Sequence, residues 1–242
     1  MQHSFGLNCK GRLLNLSKPI VMGILNCTPD SFYDGNLHHS ETKILLHVEK
    51  MLQQGATIID IGGMSSKPGA MEISEAEELQ RVIPFIEKIR GYFPDAYLSI
   101  DTFRAKVAEQ AILAGADIIN DISAGAWEPE ILDVAARYRA PYIAMHIQGR
   151  PANMQQNPTY QNVVTEVYNY FINHIKTYTE KGIHDIIIDP GFGFGKTTEH
   201  NYQLLANIST LCNLSKPVLV GLSRKSMICK PLGIHPSEAL NG

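Results

Sequence analysis

The sequence predicts an α/β fold, a (β/α)8 TIM barrel whose eighth βα unit is absent from the chain. Seven short apolar runs rich in β-branched residues alternate with longer amphipathic segments along its 242 residues. The runs are apolar throughout rather than at every second position, which is typical of strands buried on both faces of a parallel sheet. Seven such units exceed the roughly five or six of most doubly wound sheets, which favours the barrel.

In chain order, the predicted strands are 19–26, 57–63, 97–102, 117–123, 141–146, 185–191 and 217–223. The segments between them predict helices. Ser74 followed by Glu77 predicts a capping box at the start of the second helix, and Pro84 predicts a kink or a division within it. Glycines placed to end helices in the left-handed conformation are Gly55, Gly115 and Gly182.

The two ends of the chain lie outside this alternation. Residues 1–18 are expected to form a cover over the barrel floor, as a hairpin. After Ser223 the sequence offers no eighth apolar run, and a barrel without it would leave unpaired backbone at two strand edges. No linker-like stretch divides the chain. We therefore expect one domain over 1–242, with its C-terminal end truncated.

Composition excludes several classes of function. The formal net charge is −3, and lysine and arginine never cluster beyond two neighbours, which argues against a nucleic-acid or membrane-surface partner. The four cysteines are scattered, without metal-ligand spacing or a disulfide pattern. The first residues lack a signal-peptide pattern, and no apolar run reaches membrane-spanning length. We expect a cytoplasmic protein.

Polar residues interrupt the apolar strands, mostly near their carboxyl ends, where barrels build active sites. They are Asn26, Asp60, Asp101, Asn120, Asp121, His146, Asp189 and Ser223. Any one of them could simply cap the next helix. Because six of the seven predicted strands end in this way, a shared polar site explains the pattern better than helix capping alone. Such a site can hydrogen-bond a heteroaromatic ring that offers both donors and acceptors.

The segment 186–201 resembles a phosphate loop, because Gly-Lys-Thr follows a strand and precedes a helix. A Walker A motif needs a glycine where this chain has Pro190, and proline offers no N–H to a phosphate. The dinucleotide fingerprint also fails, because Gly191 and Gly193 are followed by Lys196 where a third glycine is required. Both nucleotide-binding interpretations are therefore rejected.

Six motifs in order resemble those of dihydropteroate synthases, over nearly the whole chain. They occupy 23–35, 60–70, 99–125, 145–155, 189–201 and 220–228. The resemblance implies a TIM barrel that condenses p-aminobenzoate with 6-hydroxymethyl-7,8-dihydropterin pyrophosphate, giving 7,8-dihydropteroate and pyrophosphate. It also implies these two small-molecule substrates, a Mg2+ cofactor, sulfonamide sensitivity as a family trait and a homodimer.

The resemblance also assigns roles to residues. Asp101, Asn120 and Asp189 would read the pterin edge, Lys225 would contact its ring, and Met145 would line the pocket floor. Asn26 would touch the pyrophosphate or its Mg2+. Asp101, Asp189 and Lys225 are the catalytic candidates. Substrate-binding candidates at the p-aminobenzoate end and in the loops are Phe32, Ser66, Lys67, Pro68, Phe194, Ser223 and Arg224.

Three departures from the family pattern stand out. Lys67 replaces an arginine of the second loop and loses its bidentate grip on phosphate. Cys27 stands where valine is common, as a small buried residue. The Arg-x-His of an eighth strand has no match here, so a chain complete at residue 242 is expected to have much reduced activity.

Two other functions stay open. A pterin-dependent methyltransferase would share the Asp and Asn positions but would not need the 220–228 segment. A non-catalytic pterin-binding paralogue would lack its last strand and helix. Residues given a structural interpretation are Asp60 and Asp121 as strand-end or cap residues, His146 as a hydrogen-bonding residue, His184, His200 and His235 as surface or capping residues, Trp127 as packing, and Arg104 and Lys106 as solvated.

Overall fold

A computed structural model of the chain describes residues 5–28, 37–65, 69 and 71–241, without the side chains of 37–40. The strands are β1 Gly6–Cys9, β2 Arg12–Asn15, β3 Val21–Asn26, β4 Ala56–Gly62, β5 Tyr97–Asp101, β6 Ile118–Asp121, β7 Tyr142–Met145 and β8 Ile186–Asp189. The helices are α1 Leu37–Gln53, α2 Glu75–Tyr92, α3 Ala105–Ala114, α4 Glu130–Tyr138, α5 Val163–Glu180, α6 Thr198–Ala206, α7 Ile208–Cys212 and α8 Ser226–Leu232, followed by a 3-10 turn Pro236–Asn241.

The main sheet is parallel and follows the chain order from β3 to β8. Its central strands are apolar and buried, and helices α1 to α6 follow successive strands, as expected for a βα-barrel chain. A large apolar cluster joins the outer face of the sheet to these helices. The fold is therefore the α/β, TIM-barrel-type arrangement that the sequence predicts.

The helix starts differ in detail from the expected pattern. Ser74 caps α2, because its side chain accepts a hydrogen bond from the Glu77 N–H. The carboxylate of Glu77 forms an ion pair with Arg81 at 2.5 Å. It does not accept the hydrogen bond from the Ser74 N–H that would complete a capping box. A reciprocal box forms instead at the start of α6, between Thr197 and His200. Pro84 lies inside α2 without dividing it.

The seventh predicted strand, 217–223, forms a single bridge rather than a regular strand. Ile188 donates to the Pro217 carbonyl at 3.0 Å, and Leu219 donates back to Ile188 at 2.9 Å, so the run continues the sheet in parallel beside β8. Pro217 has no N–H, and no further strand among the described residues pairs with the other side of the run. At the opposite edge, Val21 and Ile24 of β3 are 60% and 63% exposed.

The β1–β2 hairpin lies at the amino ends of the main strands. It packs Leu7, Cys9 and Leu14 into a second apolar cluster. The partners from the sheet are the buried isoleucines near the strand starts, Ile58, Ile118, Ile143 and Ile187. The hairpin thus closes the floor of the barrel, which leaves the carboxyl ends of the strands as the face that can bind a ligand.

A buried carboxylate fixes the hairpin in place. Asp117, 2% exposed, accepts hydrogen bonds from Arg12 of β2 at 3.2 Å, from Arg90 of α2 at 2.7 Å and from the Leu98 N–H at 2.9 Å. One side chain therefore joins the hairpin, a helix and the sheet.

No helix in the described ranges combines the length and apolar character that a membrane crossing needs. The four cysteines are all free thiols.

Candidate active site

Strand register brings the candidate pterin-binding side chains together at the carboxyl ends. Asp101 ends β5 directly opposite Asn120 of β6, and Met145 ends β7 directly opposite Asp189 of β8. Paired residues of neighbouring strands point to the same side of a sheet, so these side chains share one face. Met145 is buried, whereas Asp101, Asn120 and Asp189 are half-buried and remain reachable.

Asp60 forms the base of this group. It lies two positions inside β4, opposite Ser99, and is 6% exposed. Its Oδ2 accepts a hydrogen bond from Asn120 Nδ2 at 3.0 Å. The sequence interpretation of Asp60 as a strand-end structural residue is therefore incomplete, because it orients a candidate ligand-binding amide. We call Asp60, Asp101, Asn120 and Asp189 the polar cup.

Burial and mutual repulsion raise the pKa values of the carboxyl groups in the polar cup. Burial raises the pKa of Asp60 to about 6, and the nearby Ser99 hydroxyl and the hydrogen bond from Asn120 oppose the rise. Burial, followed by the nearby Asp60 and Glu78, raises the pKa of Asp101 well above its usual value. Burial therefore favours the protonated form of Asp101.

Asp189 differs because cations lie near it. Burial raises its pKa, but the charge of Lys225 and the Gly191 N–H, which donates to Oδ1 at 2.7 Å, oppose the rise. Within the polar cup, Asp189 is thus favoured as an ionised carboxylate, whereas burial favours the protonated form of Asp101. The cup can offer both donors and acceptors to one ligand.

The loop 190–197 between β8 and α6, here called the glycine loop, meets Lys225 at the rim of the polar cup. Lys225 Nζ donates to the Phe192 carbonyl and lies 4.6 Å from the centre of the half-buried Phe194 ring. Burial lowers the pKa of Lys225, and Asp189 opposes this shift. An ammonium group, a carboxylate and an aromatic face therefore meet at one edge of the cup.

The remaining candidates fall into two groups. Asn26, Ser223 and Arg224 are exposed, Asn26 at the end of β3 and the other two just before α8. Arg224 has a φ of +55°, a left-handed conformation that is strained for arginine. Four candidates lie outside the described residues: Phe32, Ser66, Lys67 and Pro68.

Several residues given structural interpretations behave as expected. His146 is 7% exposed and hydrogen-bonds Lys196. Asp121 caps its loop by accepting from the N–H groups of Ser123 and Gly125, both at 2.7 Å. Trp127 packs edge-on against Phe103.

The interpretation of Arg104 as a solvated side chain is wrong. It forms a partly buried ion pair with Glu78 and donates to the Ile73 carbonyl. Lys196 is the other residue whose role the sequence did not indicate. Its position in a rejected Gly-Lys-Thr motif drew attention to phosphate, whereas its side chain points into the protein and is 3% exposed.

Comparison with known proteins adds to this geometry. A family model described as pterin binding enzyme matches residues 22–240. The dihydropteroate synthase of Escherichia coli K12 is 48% identical over 238 residues, which cover 98% of this chain and 84% of the relative. The chain belongs to the dihydropteroate synthase family.

Solved dihydropteroate synthases share the fold. The Xanthomonas albilineans enzyme with 4-aminobenzoic acid superposes with a TM-score of 0.90 at 42% identity, covering 99% of this chain and 86% of that one. The same enzyme in complex with 7,8-dihydropteroate gives a TM-score of 0.86 at 40% identity, covering 98% and 85%. The part of the chain that matches the family model includes the polar cup, the glycine loop and Lys225.

Proposed function

We propose that this chain is a dihydropteroate synthase, which joins p-aminobenzoate to 6-hydroxymethyl-7,8-dihydropterin pyrophosphate in folate biosynthesis. The observation that supports this most strongly is the arrangement of Lys225 between Asp189 and the Phe194 ring, at the rim of the polar cup. The cup suits a pterin, and the rim suits an arylamine. The relatives that carry this name match nearly the whole chain.

The pterin edge presents an amino group, ring N–H groups, ring nitrogens and a carbonyl. The Asp189 carboxylate can accept from the amino and ring N–H groups. The Asn120 amide, held through Nδ2 by Asp60, keeps its oxygen and one N–H for the ligand. A proton retained on Asp101 allows that carboxyl to donate to a ring nitrogen. In this arrangement the polar cup offers both hydrogen-bond acceptors and donors to the pterin edge.

The reaction breaks the bond between the pterin methylene carbon and the pyrophosphate oxygen, and forms a bond from that carbon to the arylamine nitrogen. The nitrogen then loses a proton. Positive charge develops on the methylene and the ring as pyrophosphate departs. The carboxylate of Asp189 lies at the carboxyl end of β8, where it favours that charge electrostatically. No strong base is required, because an arylamine is neutral at pH 7.

The arylamine would lie against Phe194, with the Lys225 stem on its other side. Ser223 and Arg224, exposed just before α8, would face its carboxylate. The roles of Phe32, Ser66, Lys67 and Pro68 stay predictions from the family resemblance.

The exposed Asn26 side chain suits a Mg2+ ion that arrives bound to pyrophosphate. Among the described residues, no group of three or more His, Cys, Asp or Glu side chains could form a preformed metal cage. Asn26 is exposed at the end of β3 and offers a single amide oxygen. Mg2+ in phosphate sites typically keeps several waters and takes few protein ligands. When bound, the ion would neutralise charge on the departing pyrophosphate, with Asn26 as its protein ligand.

The family resemblance also supports a homodimer and a cytoplasmic location, which are part of this proposal. No nucleic acid or membrane partner is included, given the chain's formal net charge of −3.

The test is turnover by the purified chain. It is incubated with the pterin pyrophosphate, p-aminobenzoate and Mg2+, and dihydropteroate and pyrophosphate are quantified. We expect Mg2+-dependent product, abolished by a chelator and reduced ~100-fold or more in Lys225→Ala. Lys230→Ala removes an exposed lysine from the last turn of α8 and should behave like the parent. A folded parent chain without product would contradict the proposal, and pterin binding without turnover would indicate a binding paralogue.

A further inference from the structure

Lys196 is a lysine buried without a carboxylate partner. It is 3% exposed, and none of the ion pairs found among the described residues includes it. Its Nζ instead lies close to four acceptors. They are the His146 ring Nδ1 at 2.9 Å and the carbonyl oxygens of His146 at 3.1 Å, Gly191 at 3.0 Å and Phe194 at 3.0 Å. Lysine is almost never fully buried unless its ammonium is satisfied in this way.

The four acceptors come from two different loops. The His146 atoms lie at the end of β7, and the other two carbonyls belong to the glycine loop after β8. The loops also touch backbone to backbone: a Cβ at Gly191 would lie 2.0 Å from the His146 carbonyl oxygen, and one at Gly195 would lie 2.4 Å from that of Gln148. Carbonyl oxygens that converge in this way repel one another. The lysine ammonium supplies the positive charge that holds them together.

The glycine loop carries the groups that face the substrate. The Phe192 carbonyl accepts from Lys225, and the Phe194 ring lies 4.6 Å from the same ammonium. Gly193 is tied on the other side, because its N–H donates to Asn201 Oδ1 at 2.7 Å. The carbonyl bound to Lys196 therefore belongs to the same residue, Phe194, as the ring that would contact the arylamine.

We propose that Lys196 is a positioning residue for the arylamine subsite: its buried ammonium holds the glycine loop against the end of β7 and so sets Phe194 and Lys225 in place. This inference rests on the proposed function. Lys196 acts through the loop, since all four of its hydrogen-bond acceptors are protein atoms.

Among the described residues, three titratable groups face Lys196. They are His146 at the end of β7, Asp189 at the end of β8, and Lys225 at the start of α8. Burial lowers the pKa of Lys196 to about 7, Asp189 opposes the shift and Lys225 adds to it. Burial and Lys196 lower the pKa of His146 to about 2, so the ring stays neutral and can accept. The Tyr160 hydroxyl donates to the Gly195 carbonyl at 2.8 Å and does not compete for the ammonium.

The first experiment replaces the ammonium with a neutral group of similar length. In Lys196→Met we expect the KM for p-aminobenzoate to rise ~10-fold or more, because a displaced ring misplaces the nucleophile. The dissociation constant of the pterin, measured by calorimetry, should rise by a clearly smaller factor, because Asp60, Asp101 and Asn120 lie on other strands and do not contact the glycine loop. Lys181→Met, at the far end of α5, is the matched control. Equal losses for both substrates, or no loss, would overturn the proposal.

The second experiment restores the missing charge. Lys196→Ala leaves space for three methylene groups and an amine, so n-propylamine should recover part of the activity, and 1-propanol should not. Failure of the amine to restore any activity would count against an ammonium clamp. If Lys196→Ala simply failed to fold, n-propylamine would not restore activity selectively. His146→Gln is a milder variant, which removes only the ring acceptor of the ammonium.

A third measurement separates this inference from the proposed function. Hydrogen exchange of peptide 190–197 should be faster in Lys196→Met than in the parent, whereas exchange in α3 should be unchanged. This readout does not depend on turnover. A parent chain that makes no dihydropteroate would contradict the proposed function, but unchanged exchange in 190–197 would contradict the role of Lys196 itself.

Discussion

The carboxyl group of Asp60, at the base of the polar cup, accepts a hydrogen bond from the Asn120 amide at 3.0 Å. An amide held in this way cannot rotate freely, so its oxygen has a fixed direction toward the ligand. The sequence placed Asp60 near a strand end but could not indicate this role, since the partner is 60 residues away in the chain. Asp101, Asn120 and Asp189 were predictable as neighbours because each interrupts an apolar strand near its carboxyl end.

Replacing Asp60 with asparagine tests its protonation. Burial raises the pKa of Asp60 from 3.8 to about 6, so above pH 6 the parent carries a buried charge that the unfolded chain keeps in water. Between pH 3.8 and about pH 6 the folded chain binds more protons than the unfolded chain. The destabilisation caused by the buried charge therefore decreases as the pH falls. We expect Asp60→Asn to be more stable than the parent at pH 8, by on the order of 2–3 kcal/mol, and equal to it near pH 4.

Urea unfolding of both proteins at several pH values gives this difference directly. Asp133→Asn, an exposed carboxylate on α4, is the control and should show no such trend. A difference between Asp60→Asn and the parent that is constant from pH 8 to pH 4 would show that Asp60 titrates like a solvated group.

The glycine loop was only partly predictable from its own sequence. Three glycines with positive φ, Gly191, Gly193 and Gly195, give this loop its irregular backbone after β8. Proline at 190 argued against a Walker A phosphate loop, because it has no N–H to donate. The contact with the end of β7 was not predictable, because it depends on which carbonyls the fold brings together. The short bridge at Val218, where a full strand was expected, has the same origin: its pairing depends on neighbours rather than on its own apolar residues.

Two glycine substitutions, one in the glycine loop and one just after α5, separate backbone strain from steric crowding. Gly191→Ala places a Cβ 2.0 Å from the His146 carbonyl at a φ of +67°, so we expect destabilisation of several kcal/mol. Gly182→Ala also has a positive φ, +88°, but its Cβ would meet nothing within 4 Å, so we expect only ~1 kcal/mol. Thermal or urea unfolding compares the two. Equal losses would mean that the close approach of the two loops is absent in solution.

At the scale of the whole molecule, the β1–β2 hairpin closes one end of the barrel and the polar cup opens at the other. The alternation of apolar runs and helices made the parallel sheet predictable over most of the chain. The attachment of the hairpin was less predictable, because it depends on the ion pair between Arg12 and Asp117, which lie 105 positions apart in the sequence. Long-range polar contacts of this kind leave no periodic pattern in the sequence.

Asp117→Ala is expected to lower stability without altering the substrate site. It leaves the buried Leu98 N–H without its carboxylate acceptor and removes the partner of Arg12 and Arg90, which together predict a loss of about 3 kcal/mol. Asp133→Ala breaks an exposed ion pair with Lys181 and should cost at most about 1 kcal/mol. Urea unfolding measures both. Equal effects would show that the hairpin contributes little to the fold.

Calorimetric titration of the chain with a pterin tests whether the polar cup is the pterin site. We expect saturable binding by the parent and by Asp133→Asn, and a loss of ~10-fold or more in affinity for Asp189→Asn, which exchanges an acceptor for a group that is half donor. Absence of binding to the folded parent, or equal affinity of parent and Asp189→Asn, would contradict the assignment of the site.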